Sequence, residues 1–167
     1  MTLLFTTVLS RIRRNHGLEH ATLNLLAQQF PSQRMAGYSY VGGFFIVGHI
    51  PTADLHAAIL QALARMKNGE RGLAIHAQCG TNYAVSGLIG GLLAWLGMTG
   101  TKSKRDKVER LPLVIALATL GFILSQPLGL VVQQRITTSG DPQNMEIVNV
   151  LPIRLGQLTL HRVVTQG

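Results

Sequence analysis

Acidic side chains are scarce in this chain. Seven Asp and Glu stand against fifteen Lys and Arg, a formal net charge of +8. Charged residues of both signs amount to only 13%, against the roughly 25% usual in water-soluble domains. Cysteine is nearly missing as well: the single Cys79 excludes an internal disulfide. Aromatics make up 5%. They are not interleaved with the basic residues as a base-stacking surface requires, so the positive charge is not read as a nucleic-acid site. A secretory leader is not recognisable, because Arg11, Arg13 and Arg14 follow the apolar opening rather than precede it.

The charge deficit is local. No Asp, Glu, Lys or Arg occurs from Gly72 to Thr101, nor from Leu111 to Gln134. A bilayer-spanning helix needs about 20 apolar residues, and a charge at its centre costs about 2.5–3.5 kcal/mol. The two runs therefore predict two spanning helices, over 83–98 and 111–134. Lys102, Lys104, Arg105, Lys107 and Arg110 lie in the loop 99–110 between them, and such a basic loop suits an anionic membrane leaflet. Gly87 and Gly91 form a G-x-x-x-G spacing that lets helices approach closely. Two spans put both termini on one side. The basic loop and the basic N-terminal region both favour the cytoplasm, which two full spans cannot satisfy together unless one run is re-entrant; the lack of an export signal favours cytoplasmic termini.

Around these runs the patterning is mixed. Residues 10–28 read as an amphipathic helix. Tyr38–Val41 and Phe44–Val47, joined through Gly42-Gly43, read as a β-hairpin. Pro51 to Asn68 reads as a second helix, with Thr52 or Asp54 as its cap. Gly72–Ala77 reads as a short strand. Met145–Val150 and Ile153–Val164 read as two strands interrupted at Leu151-Pro152. The expected architecture is α+β: a small mixed helix/strand domain joined to a two-helix transmembrane hairpin. Its regions are 1–82, the hairpin 83–134, and a C-terminal strand pair, 135–167, packing on the N-terminal region.

His16-Gly17-Leu18-Glu19-His20 spells H-x-x-E-H, the inverted zinc-protease signature. On a helix the two histidines lie one turn apart on one face, with Glu19 on the adjoining strip. Two imidazoles at that spacing can share one zinc ion, and a neighbouring carboxylate can take a proton from a zinc-activated water. A catalytic zinc needs a third protein ligand. His76 is the first choice and Cys79 the second, with His49 the remaining candidate. Thr81 and Asn82 are candidates for orienting substrate or ligands. His56 and His161 receive no role.

The five-residue core is similar to the insulinase-type zinc peptidases. That likeness implies metal binding by His16 and His20 and a base at Glu19, with a further acid downstream; neither Glu70 nor Glu109 matches its position. A longer pattern, Arg14-Asn-His-Gly-Leu-Glu-His-Ala-Thr22 with Gly69-Glu70 and Ala74-Ile-His-Ala-Gln-Cys-Gly-Thr-Asn82, resembles an uncharacterised family of bacterial membrane proteins found especially in photosynthetic bacteria. It implies an integral protein of the bacterial inner or photosynthetic membrane. The expectation is a membrane-anchored zinc-site protein acting as a hydrolase or peptidase. Its rival is a non-catalytic assembly factor or accessory subunit. The expected partners are the lipid bilayer, a larger membrane-protein complex or a second copy of the chain.

Overall fold

The computed structural model describes residues 2–156 and 158–167. Met1, in the expected 1–82 region, and Gln157, in the expected second C-terminal strand, lie outside them. The chain divides into two compact units: Met1–His76 with Gln134–Gly167, and Ala77–Gln133.

The first unit is a four-stranded antiparallel sheet in the order β1-β2-β4-β3 with two helices. Its long helix α1 spans Thr2–Gln29. The expected hairpin forms from β1 (Ala36–Tyr40) and β2 (Gly43–Val47), paired from Ala36↔Val47 to Tyr40↔Gly43. Gly43 has φ +142°, and a Cβ there would collide with the Val163 carbonyl of the neighbouring strand, so only glycine fits. Helix α2 covers Thr52–Lys67. The expected side-chain cap is not made, because the cap position falls on Pro51, which has no acceptor side chain; the Thr52 hydroxyl lies 3.1 Å from His161 Nε2. At its other end Gly69 turns the chain with φ +94°.

The expected strand at Gly72–Ala77 is replaced by a 3-10 turn over Arg71–Ala74. The carbonyls of Leu73 and Ile75 accept hydrogen bonds from the Asn24 amide on α1 rather than from a neighbouring strand. The two C-terminal strands are β3 (Glu146–Leu155) and β4 (Leu158–Gln166). β3 runs straight through Pro152. It is an edge strand paired only to β4, and an edge tolerates a residue without an N–H.

Alternation along the strands gives this unit its core. Phe44, Ile46 and Val163 on one sheet face are fully buried with Leu18 and Leu26 of α1 and Leu55 and Ile59 of α2. Asn15 ties α1 to the sheet. Its amide donates to the Tyr40 carbonyl at 2.7 Å, and its carbonyl oxygen accepts from the Thr165 hydroxyl at 2.7 Å.

The second unit is helical: α3 (Gly80–Met98), α4 (Lys104–Glu109), α5 (Leu111–Leu124) and α6 (Gln126–Val132). A π-helical turn, Gln133–Thr137, follows. Here the expected two-helix transmembrane hairpin is overturned. Among the described residues no single helix is long and apolar enough to cross a membrane. The run 83–98 is diluted by its glycines and by the polar first turn Gly80-Thr81-Asn82. The run 111–134 is broken at Ser125 into two helices bent by 45°, and only the bent pair together meets the length and hydropathy requirement. The break has a local cause. Pro127 cannot donate to the preceding turn, and the Ser125 hydroxyl takes up the Phe122 carbonyl at 2.8 Å.

Candidate metal centre on the N-terminal helix

His16 and His20 lie in the middle of α1 with their ring centroids 4.2 Å apart, the planes inclined at 63°. Each ring is fixed by a different piece of backbone. His16 Nδ1 donates to the Thr137 carbonyl at 3.0 Å, and His20 Nδ1 donates to the Ala74 carbonyl at 2.8 Å. A carbonyl can only accept, so both Nδ1 atoms carry the proton and the lone pair falls on Nε2. That tautomer, with its Nδ1–H held by a carbonyl, is the one metal-binding histidines adopt.

His76 brings a third ring, its centroid 5.6 Å from that of His20. It follows the 3-10 turn whose Ala74 carbonyl holds His20, so one short segment both anchors one imidazole and delivers another. Close packing makes this possible. Gly17 faces the Ser139 backbone so tightly that a Cβ would overlap it. Arg13 braces the same segment, donating to the carbonyls of Arg135 at 2.9 Å and Thr138 at 3.2 Å. His20 is 2% exposed, so its hydrogen bond is shielded from water and correspondingly strong.

Glu19 is also buried, but it faces elsewhere. At about 100° per residue the helix turns it about 60° from His16 and about 100° from His20. Its carboxylate packs against Gly37 of β1 and accepts a hydrogen bond from the Ser39 hydroxyl. A side chain at Gly37 would displace it.

His49 is exposed on the loop after β2. Cys79 belongs to the helical unit, where its sulfur accepts from the Thr81 amide at the start of α3. By donor type His16, His20 and Cys79 are a set that can hold a metal ion. Asn82 serves inside the helical unit, donating to the Ala77 carbonyl at 2.9 Å. His161, assigned no role above, is fully buried on β4, its Nε2 3.1 Å from the Thr52 hydroxyl. Burial pushes its pKa below the ordinary 6.5.

Two parts of the centre had no sequence signal. The carbonyls of Ala74 and Thr137 are backbone atoms any residue would supply. Ser39 is one polar residue in a strand pattern. Its only hint is alternation, which puts it with Gly37 on the face opposite Tyr38 and Tyr40.

Residues 11–150 match the family described as a domain of unknown function, DUF6391, and the chain belongs to that family. It is 34% identical over 142 residues to an uncharacterized protein of Picosynechococcus sp. (strain ATCC 27264 / PCC 7002 / PR-6), an alignment covering 77% of this chain. The chain spans 66% of that relative's own length. No solved structure matches it.

Proposed function

We propose that the middle of α1 binds a divalent metal, zinc by donor preference, through Nε2 of His16 and His20, with His76 or Cys79 as third donor. The supporting observation is the pair of rings 4.2 Å apart, each with its Nδ1–H tied to a separate backbone carbonyl. A solvated pair of helix-surface histidines has no such anchors. Imidazole and thiolate ligands suit zinc better than magnesium or calcium, which take oxygen ligands.

The finer reading is a zinc-dependent hydrolase. Held by His16, His20 and His76 or Cys79, the metal would supply Lewis acidity to a water. Glu19 would be the general base for cleavage of a peptide or other acyl bond, once turned from its contact with the Ser39 hydroxyl, and would pass the proton to the departing amine or alkoxide.

Metal analysis of the purified full chain tests the reading. Stoichiometric zinc is expected in the native protein and a large loss in His16→Ala/His20→Ala; equal zinc in both ends the proposal. His76→Ala and Cys79→Ser identify the third donor by whichever lowers zinc retention against a chelator. Glu19→Gln separates catalysis from binding: zinc is kept and acyl hydrolysis lost. A second reading, metal binding without hydrolysis, is favoured by the turn of Glu19 towards β1. It predicts that Glu19→Gln changes neither zinc content nor cellular function. A third, an accessory subunit of a membrane complex, predicts a stoichiometric partner in mild detergent and no bound metal.

A further inference from the structure

The helical unit is built inside out. Between Ala77 and Gln133 the buried positions are Cys79, Asn82, Ser86, Gly90, Gly97, Gly121, Ser125, Gly129 and Gln133. Among the described residues of this unit not one Leu, Ile, Val, Phe or Trp is buried. The exterior carries them instead: Leu88 and Trp95 are each 65% exposed, Ile115 63% and Leu124 61%. α5 presents apolar side chains on nearly every side.

The interior is held by groups that water would not favour as a core. The Ser86 and Ser125 hydroxyls are hydrogen-bonded at 2.8 Å, and the Gln133 amide donates to the Asn82 carbonyl oxygen at 3.3 Å. Gly90 and Gly121 bring α3 and α5 close enough that a Cβ on Gly121 would meet the Gly90 Cα at 3.0 Å. In water, apolar surface is driven inward and large exposed apolar patches are rare. In hydrocarbon that drive disappears. Helices then pack through small residues and internal polar pairs, with apolar side chains turned outward.

Charge marks the kind of lipid. Lys102, Lys104, Arg105, Lys107 and Arg110 against Asp106 and Glu109 give the segment 102–110 a net +3. Asp106 is spent on the capping box with Ser103, and Glu109 on Arg105. Arg110 reaches back to the Gly97 and Thr99 carbonyls, fixing the segment to the end of α3.

We propose that the outer surface of α3, α5 and α6 is covered by the acyl chains of a lipid bilayer, and that the segment 102–110 binds anionic headgroups. The unit is in contact with lipid on its Leu88, Trp95, Ile115 and Leu124 faces. The contact stands independently of any metal at α1.

Trp95 is the single tryptophan of the chain, so its emission reports on this surface alone. The full chain is diluted from mild detergent into vesicles of phosphatidylcholine, with or without phosphatidylglycerol. The expected result is a shift of Trp95 emission to shorter wavelength and its quenching by brominated acyl chains, stronger when phosphatidylglycerol is present. Lys104→Gln/Lys107→Gln weakens vesicle binding about 25-fold, roughly fivefold per cation removed, with an unaltered unfolding midpoint. Brominated lipid that leaves Trp95 emission untouched overturns the proposal. A lipid-free oligomer that shields Trp95 assigns the surface to a second copy and overturns it too. Equal binding to both vesicle types overturns the anionic-headgroup part.

Discussion

The two units place the same residue types on opposite sides of their surfaces. In the sheet unit Phe44, Ile46, Leu18 and Leu55 are fully buried, and its charged side chains lie mostly outside. In the helical unit the interior is glycine, serine, asparagine and glutamine, and the leucines and isoleucines face out. The two units therefore bury opposite residue types. The first unit gains stability by removing apolar area from water, at about 25 cal/mol per Å². The second is held by close backbone approach and a few internal hydrogen bonds, which contribute about 1 kcal/mol each.

That contrast can be broken by mutation. Phe44→Ala empties a fully buried site and should cost about 3–5 kcal/mol. Ile123→Ala, on the exterior of α5 at 58% exposure, should shift stability by no more than about 0.5 kcal/mol. Denaturant titration of both compares them directly, and similar losses would mean that the helical unit also has an apolar core. Gly121→Val comes next. Its branches would meet Leu93 and Gly90, at about 1–3 kcal/mol. Gly91→Val, with open space around it, should be close to neutral in the same titration; equal effects would deny the tight α3–α5 seam.

The smallest effect is a pH dependence seated in the sheet unit. Burial holds the His161 pKa below 6.5, so the folded chain resists a proton that the unfolded chain accepts. Stability is unaffected by this group above about pH 7 and falls as the pH drops below 6.5, by at most about 1.4 kcal/mol per pH unit. In His161→Asn that part of the slope should vanish. An unchanged slope between pH 7 and 5 would show that His161 is not its source.

Much of the sheet unit was legible from residue order. The Gly42-Gly43 pair between two β-rich stretches marked the hairpin, and the stretch from Pro51 to Asn68 marked α2. The i, i+4 spacing of His16 and His20 gave their shared face, because helix geometry alone dictates it. What sequence could not give were features decided by distant partners. Pro152 reads as a break until β3 is known to be an edge. Gly72–Ala77 reads as a strand until Asn24 is seen to claim its carbonyls. The charge-free run 111–134 reads as one span because composition is blind to the Ser125 break. Glu19 was expected near the rings; the carboxylate docks on Ser39 because β1 passes that side of α1.

The discontinuity of the sheet unit has a consequence for biogenesis. β4 sits in the middle of the sheet, between β2 and β3, yet it follows the whole helical unit in chain order. The carbonyl that anchors His16 comes from Thr137. During synthesis the helical unit leaves the ribosome whole while the sheet still lacks its central strand. The histidine pair on α1 is thus set only after the segment that carries Thr137 has followed the helical unit, and a chain truncated before it carries the motif without the anchor that orients His16.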